Sequence, residues 1–375
     1  MDAVGWKTLP LGEIVALQRG FDLSKERRTP GKIPVVGASG IVGWHNEPMV
    51  PGPGVTLGRA GAMGNATYVS QGYWPLNTTL FVTDFLGNNP LFIYYLLHSM
   101  DFMAYNSGGV QPMLNRNYIK DVPVFLPEPS GQQAIAEVLG ALDGKIALNK
   151  RIRATSINLA GACYEAVGSS GEPKLIGDVA ALFDGPHATP QKTESGPWFL
   201  SISSLKNGFL DLAESAHLSE EDFPRWTRRV QPEAGDVLFS YETRLGDAAL
   251  MPPGVRGSLG RRMALLRSKS PSISGALLLH AYLSPVFQDE IKRRTVYGAT
   301  VDRLPLAEMP GWRIPLPAEG ERMRLSARLE ALHATVTQTA NENRTLADLR
   351  DTLLPQLLSG KLRVKDAVRT VEEVV

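Results

Sequence analysis

Apolar side chains recur at helical spacing in two distant parts of the chain. The first set lies in residues 129–168, at Ile135, Leu139, Leu142 and Ile146, in steps of four, three and four. The second set lies 190 residues later, at Leu325, Leu329, Leu332 and Val336. This spacing places each set on one face of an amphipathic helix. The pattern therefore predicts two long helices with matching apolar seams, one in each half of the chain.

The segments before the two helices also correspond. Residues 1–128 are rich in glycine, proline and β-branched residues, which predicts short strands joined by turns. They also contain one helix that starts at Pro90 after an Asn88 or Asn89 cap. Residues 169–317 pass through the same events, and 107–127 align with 297–317 without a gap at the same offset of 190. We infer a tandem duplication of one unit, a mixed α/β globule followed by a long helix, and an α+β fold.

Each long helix spans about 55 Å at 1.5 Å per residue, which requires a partner along its length. The matching seams favour pairing of the two helices as an antiparallel coiled coil with pseudo-two-fold symmetry. The alternative is that each helix folds back on its own globule. The centre of the seam is polar, with Asn149, Arg153, Thr339 and Asn343. Two explanations are open: these residues fix the register of the helix pair, or they face solvent or another protein. The predicted domains are 1–128, 129–168, 169–317 and 318–375.

Composition restricts the class of protein but does not identify it. The chain has 375 residues, 43% hydrophobic and 21% charged, as in a globular protein with more than one domain. One cysteine, Cys163, cannot form an intramolecular disulfide, and no segment resembles a signal peptide or membrane span. We therefore expect a cytoplasmic protein. Net charge is +1, and neither 1–128 nor 169–317 is basic overall, so composition gives no support to nucleic-acid binding.

Known catalytic motifs are missing from the sequence. Gly144-Lys145 lacks the rest of a phosphate-binding loop, and the six histidines do not have metal-ligand spacing. The glycine-rich segment 58–64 lies between predicted strands, unlike a dinucleotide-binding turn that opens a helix. The run 289–292, Asp-Glu-Ile-Lys, imitates a nuclease pair, but a solvated helix face explains it better. The sequence predicts no catalytic residue, metal site or bound cofactor.

Polar, aromatic and cationic residues do recur on the predicted loops of both halves. Arginine and asparagine make bidentate hydrogen bonds with guanine and adenine edges, and lysine, threonine and backbone amides suit phosphates. The candidates for DNA binding in the first half are Arg59, Asn65, Asn77, Thr78, Asn115, Arg116, Asn117, Tyr118 and Lys120. Those in the second half are Tyr241, Arg244, Arg261, Arg262, Arg293, Arg294, Tyr297, Thr300 and Arg303.

Three motifs resemble the specificity (S) subunits of type I restriction-modification systems. One is the end of the second helix, LADLRDTLLPQLLSGKLRV at 346–364. The second is PEPSGQQAIAEVLGALDGKIALN at 127–149, and the third is the opening from Trp6 to Ile14. The resemblance covers essentially the whole chain.

The resemblance implies a non-catalytic subunit with two target-recognition domains, each reading one half of a bipartite double-stranded DNA sequence. The paired helices would set the spacing between half-sites and dock two methyltransferase (M) subunits, with restriction (R) subunits joining for cleavage. S-adenosylmethionine is expected on the M subunit and not on this chain. The alternatives are a protein-binding scaffold that has lost DNA reading, or a fragment of a nuclease or methyltransferase fusion.

Overall fold

The computed structural model describes residues 5–107, 112–168, 170–206, 208–298 and 301–374. The chain divides into two compact units. Unit 1 comprises Met1–Ala147 and Asn343–Val375, and unit 2 comprises Leu148–Glu342.

Unit 1 contains a four-stranded sheet, a three-stranded sheet and a two-stranded pair. Its strands are β1 (Lys7–Pro10), β2 (Ala16–Arg19), β3 (Ile33–Gly37), β4 (Gly40–His45), β5 (Gly54–Gly58), β6 (Ala66–Val69), β7 (Trp74–Pro75), β8 (Thr79–Asp84) and β9 (Pro123–Leu126). The strand orders are β2-β8-β5-β6, β4-β3-β7 and β1-β9. Helices α1 (Pro90–Ser99) and α2 (Arg116–Ile119) follow β8, and α1 packs on the four-stranded sheet.

Unit 2 has the same arrangement with one additional hairpin. Its strands are β10 (Lys174–Leu175), β11 (Ala180–Asp184), β12 (Thr193–Phe199), β13 (Leu205–Lys206), β14 (Phe209–Leu210), β15 (Ala216–His217), β16 (Val237–Ser240), β17 (Ala248–Leu250), β18 (Gly257–Ser258), β19 (Met263–Ser268) and β20 (Arg313–Ile314). The strand orders are β11-β19-β16-β17, β15-β12-β18 and β10-β20, and β13 pairs with β14.

The two units therefore share one topology. In each four-stranded sheet the strand that comes first in the sequence pairs with the one that comes last, β2 with β8 and β11 with β19. In each three-stranded sheet the central strand has one antiparallel and one parallel neighbour. The tandem duplication inferred from the sequence is confirmed by this match.

The predicted long helices are present at the predicted offset. Helix α3 spans Pro129–Val167, and α8, which follows the short unit 2 helices described below, spans Glu319–Leu358. Within unit 1 the two run antiparallel: Asp143 forms an ion pair with Arg350 at 2.7 Å, and Asn343 Nδ2 donates to the carbonyl oxygen of Ile146 at 3.3 Å. The final helix, α9 (Val364–Val374), packs on the same core through Ala367.

The predicted seam residues pack with the globules as well as with the opposite helix. In unit 1 the buried set joins the core that also holds the end of α8: Ile135, Leu139, Leu142, Ile146, Leu346, Leu353 and Leu357. In unit 2 the seam residues Leu325 and Leu329 of α8 belong to the same core as Ala160 and Tyr164 of α3. Leu332 is partly buried against this core. Val336 is buried as well.

The polar centre of the helices has partners. Asn149 is buried and donates from Nδ2 to Glu342 Oε2 at 2.8 Å, within unit 2. Thr339 donates to carbonyl oxygens of its own helix. Arg153 turns away from the seam, and its guanidinium lies 4.1 Å above the Phe209 ring, where desolvation lowers its pKa. The polar residues are therefore accommodated by specific contacts, which restrict the register of the helices within each unit.

The short helices of unit 2 are α4 (Ile176–Val179), α5 (Phe223–Trp226), α6 (Gly275–Leu283) and α7 (Pro285–Arg294). In unit 1 the Asn89 side chain caps α1 by accepting from Phe92 N, and Pro90 is its first residue, as the sequence predicts. The sequence predicts a single helix in unit 2 that corresponds to α1, but the structure has two, α6 and α7. The helix is interrupted because Pro285 cannot donate a backbone hydrogen bond and the chain turns at Ser284. Among the described residues, no helix is both long and apolar enough to cross a membrane.

Candidate nucleic-acid interface

A groove of about 670 Å³ opens beside the end of β2 in unit 1. Its position is set by Gly20, whose amide donates to the carbonyl oxygen of Thr79 at 3.0 Å. A Cβ atom at position 20 would overlap the carbonyl oxygen of Leu76, so only glycine permits this close approach. The groove is lined by Gln18, Arg19, Phe21, Asp22, Arg59, Leu80, Asn115 and Arg116. It thus brings together Arg59, Asn115 and Arg116 of the predicted candidates.

The unit 1 groove is positively charged. Arg59 Nη2 donates to the weak acceptor Met113 Sδ at 3.4 Å, and Arg116 Nη1 donates to the Leu17 carbonyl oxygen at 3.0 Å. Arg19 is exposed and forms no ion pair in the part of the chain that the structure describes. One carboxylate, Asp22, faces these three guanidinium groups and accepts a hydrogen bond from Asn77. The groove therefore attracts anions and retains unsatisfied donors.

Other unit 1 candidates have structural contacts or lie outside the groove. Asn65 donates to the Ala38 carbonyl oxygen at 3.2 Å, and the half-buried Thr78 accepts backbone hydrogen bonds through its carbonyl oxygen. Asn115 caps α2 by accepting from the backbone amide of Asn117, which leaves its amide nitrogen available. Asn117, Tyr118 and Lys120 are exposed on the same helical turn.

Unit 2 has a groove at the equivalent place in the repeat. Gly185 follows β11 and donates to the carbonyl oxygen of Met263, the first residue of β19, at 3.0 Å, just as Gly20 donates to the first residue of β8. The groove has a volume of about 320 Å³. Its lining includes Asp184, His187, Arg225, Trp226, Arg228, Arg229 and Val230.

The unit 2 groove carries both neutralised and unpaired cations. Asp184 pairs with Arg229 at 3.1 Å and with His187 at 3.0 Å. Arg225 and Arg228 are exposed and form no ion pair among the described residues. These two guanidinium groups give the groove a net attraction for anions.

Tyr241 lies behind this groove and not on its surface. Its side chain is buried, its hydroxyl lies 3.4 Å from His187 Nδ1, and burial together with the nearby Asp184 carboxylate raises its pKa. In the structure the buried Tyr241 side chain thus contacts His187, which lines the groove.

Several other unit 2 candidates are engaged by carboxylates. Arg244 pairs with Asp247, and Arg262 Nε lies 2.9 Å from Glu242 Oε2. Arg293 and Arg294 both pair with Glu290, at 2.8 and 2.9 Å. Arg261, Tyr297 and Arg303 are exposed away from the groove lining, and Thr300 lies outside the described residues.

Sequence reasoning missed groove residues in both units. In unit 1 these are Gln18 and Arg19, which end a strand rather than occupy a loop. In unit 2 they are Arg225, Arg228 and Arg229, which follow the extra hairpin and have no aligned counterpart in the first half. The available signal was the segment RWTRR at 225–229, in which basic residues surround a tryptophan.

The described part of the chain contains no cluster of His, Cys, Asp and Glu that could hold a metal ion. The suspected nuclease-like run is an ordinary helix surface, in which Lys292 pairs with Asp289 at 3.0 Å.

Comparison with known proteins identifies the relatives of the chain. Residues 3–155 match the family described as type I restriction modification DNA specificity domain. The chain is 28% identical over 148 residues to the type I restriction enzyme EcoprrI specificity subunit of Escherichia coli, and this match covers 38% of the chain and 37% of that protein. The chain therefore aligns with well under half the length of this relative.

A solved structure extends the likeness to the rest of the fold. The S subunit of a type I restriction-modification system from M. genitalium superposes with a TM-score of 0.61 at 15% identity, covering 95% of the chain and 97% of that protein. This structural likeness confirms the α+β fold with its long helix. The resemblance noted in the sequence is confirmed by the family match and the curated relative. Both of these relatives are specificity subunits.

Proposed function

We propose that this chain, a specificity subunit of a type I restriction-modification system, binds double-stranded DNA through two equivalent grooves, each reading one half of a bipartite site. The observation that carries the proposal is the recurrence of a basic groove at the same position of the repeat in units 1 and 2. A charge cluster that arose by chance would have no reason to recur beside the same strand end.

The side chains of the unit 1 groove suit base recognition. Arg19 and Arg59 present guanidinium donors, which pair with guanine O6 and N7, and Gln18 and Asn115 present amides, which pair with adenine N6 and N7. Arg116 is fixed to the chain by its bond to the Leu17 carbonyl oxygen, so its remaining donors point from a defined place. Each good bidentate contact contributes about 1–3 kcal/mol of discrimination between bases.

The family match ends at residue 155, within α3, so the role of unit 2 rests on the duplication. Unit 2 has the strand orders of unit 1 and its own basic groove with Arg225 and Arg228. Its groove is smaller and partly neutralised by Asp184, so we expect the two units to read different bases.

We further propose that α3 and α8 set the distance between the half-sites and dock two M subunits, and that R subunits join this complex. The bound cofactor, S-adenosylmethionine, would belong to the M subunit. Since the chain carries a net charge of only +1, the M subunits would also supply part of the phosphate-binding surface.

Paired variants of the two grooves test the proposal. We expect Arg59→Ala with Arg116→Ala to abolish recognition of one half-site, and Arg225→Ala with Arg228→Ala to abolish recognition of the other. None of these four guanidinium groups forms an ion pair with a carboxylate among the described residues. The measurement is methylation by the complex with its M subunit on DNA in which one half-site at a time is altered.

The matched control is Arg293→Ala with Arg294→Ala, since these arginines are already paired with Glu290. The control removes the same charge but should change methylation less than twofold. If both groove variants methylate DNA as the wild type does, the chain is a protein-binding scaffold and not a DNA reader.

A further inference from the structure

Unit 1 exposes a cluster of large apolar side chains on the edge strand β4. Ile41 is 51% exposed, Val42 41% and Trp44 52%. This strand is at the edge of its three-stranded sheet, so no further strand of that sheet pairs with the backbone groups on its outer side. A contiguous exposed apolar cluster of this kind marks a surface that contacts another molecule.

A cationic loop runs along the same strand. Residues 25–32, KERRTPGK, contain four cations and one carboxylate. The loop is held against β4 by two hydrogen bonds: Thr29 N donates to His45 Nδ1 at 3.0 Å, and Arg28 Nη1 donates to the Val42 carbonyl oxygen at 3.1 Å. The loop and β4 thus form one surface, called here the β4 surface.

The cations of the β4 surface are available to a ligand. Lys25, Arg27 and Lys32 are exposed, and none of them forms an ion pair in the described ranges of the chain. An apolar strip bordered by unpaired cations complements a chain of phosphates joined by apolar sugars. Proteins that bind the minor groove of DNA combine the same two kinds of side chain.

We propose that the β4 surface is a second DNA-contacting site, which binds the duplex beyond the base pairs read in the unit 1 groove. This inference rests on the proposed function. The groove and the β4 surface are connected through the three-stranded sheet. Phe21 lines the groove and pairs with Leu76, the residue directly after β7. In the order β4-β3-β7, β4 lies two strands away from β7. Two strand spacings are about 10 Å, which corresponds to about three base pairs at 3.4 Å each.

This contact belongs to unit 1 and not to the repeat as a whole. The equivalent edge strand in unit 2, β15, consists of Ala216 and His217 and carries no exposed large apolar side chain. Of the nearby carboxylates, Glu214 pairs with Lys206 and Glu220 pairs with Arg256. Because β15 lacks the apolar strip, the β4 surface extends the footprint on one side of the bipartite site only.

The test measures binding of the full chain in complex with its M subunit to a random-sequence duplex of about 40 base pairs as a function of salt. The variant is Lys25→Ala with Arg27→Ala and Lys32→Ala. Since each lost phosphate contact reduces the slope of log K against log salt by about 0.9, the slope should become shallower by about 2.7. A control variant with the same charge change, Lys361→Ala with Lys365→Ala and Arg369→Ala in the tail, should keep the wild-type slope.

Trp44→Ala separates the apolar contribution from the electrostatic one. We expect about tenfold weaker binding with an unchanged salt slope, because the variant removes apolar area from the contact and no charge. Trp44 is half exposed, so the variant should fold, and circular dichroism would verify this.

The outcomes distinguish this inference from the proposed function. If the loop and Trp44 variants bind as the tail control does, while Arg59→Ala with Arg116→Ala weakens binding, the β4 surface does not contact DNA and the groove still does. Loss of M-subunit binding by the loop variant, with DNA binding intact, would assign the surface to a protein and also overturn the inference. If neither the loop nor the groove variant changes DNA binding, both the inference and the proposed function are wrong.

Discussion

Acidification should destabilise unit 2 through a buried pair of histidines. His280 on α6 and His333 on α8 are 4% and 5% exposed, and their Nε2 atoms are 3.0 Å apart. One ring must donate and the other must accept, so at least the accepting ring is neutral in the folded protein. Burial lowers the pKa of His280 to about 3, with the neighbouring His333 adding to the effect, and burial lowers the pKa of His333 to about 4.

The sign and size of the effect follow from linkage. Both folded pKa values lie below the ordinary value of 6.5, so stability is full above pH 6.5 and is lost as the pH falls towards 4. At pH 5 the unfolded histidines bind protons and the folded ones do not, which costs about 2 kcal/mol for each residue and about 4 kcal/mol for the pair. Besides His333, two titratable groups share a cavity with His280: Tyr164, whose ring centroid is 6.5 Å from that of His280, and Glu165.

Urea unfolding at pH 7.5, 6 and 5 measures this dependence. His280→Leu with His333→Leu removes both polar partners together, so the variant should fold and should lose about 4 kcal/mol less than the wild type between pH 7.5 and 5. His98→Leu, at an exposed histidine of unit 1, is the matched control and should follow the wild type. If the double variant and the wild type lose stability in parallel, the buried pair does not cause the acid sensitivity.

Two further predictions concern the long helices. Asp143→Ala should destabilise unit 1 by about 1–3 kcal/mol in urea unfolding, because it leaves the Tyr95 hydroxyl without its acceptor and leaves Arg350 with the carboxylate of Asp351 alone. Asp143→Asn should lose less, and equal stability of Asp143→Ala and wild type would contradict this. Inserting one heptad after Lys150, matched near Asn341, should lengthen the spacer between half-sites by about three base pairs, since seven helical residues span about 10.5 Å. Methylation mapping checks the second prediction, and altered half-sites with an unchanged spacer would refute it.

The long helices and the duplication could be predicted because their signal is local and periodic. Four apolar positions at helical spacing define each helix, and the offset of 190 residues relates α3 to α8. The helix break at Ser284 was not predicted because the alignment to α1 outweighed the Pro285 signal.

The grooves could be predicted only in part. Arg59 and Arg116 are far apart in sequence, and the backbone bridge between Ala60 and Met113 brings their segments together. Hydrophobic periodicity does not record such long-range pairing. Arg19 was missed because it lies on a strand, whereas the candidates lie on predicted loops. Arg225 and Arg228 were missed for another reason: they lie in a segment without a counterpart in the first half. Tyr241 was included from its residue type, whereas its burial depends on long-range packing.

The boundaries of the predicted domains remain a prediction. The compact units divide the chain within α3 and α8, so each long helix contributes residues to both units.

Mapping of methylated bases in DNA modified by the chain together with its M subunit tests the central claim most directly. We predict modified adenines in two specific half-sites separated by a spacer of fixed length and free sequence, with each half-site lost in one of the two groove variants. A contiguous recognition site, or a bipartite site that both groove variants leave unchanged, would contradict the assignment of the two grooves as the DNA readers.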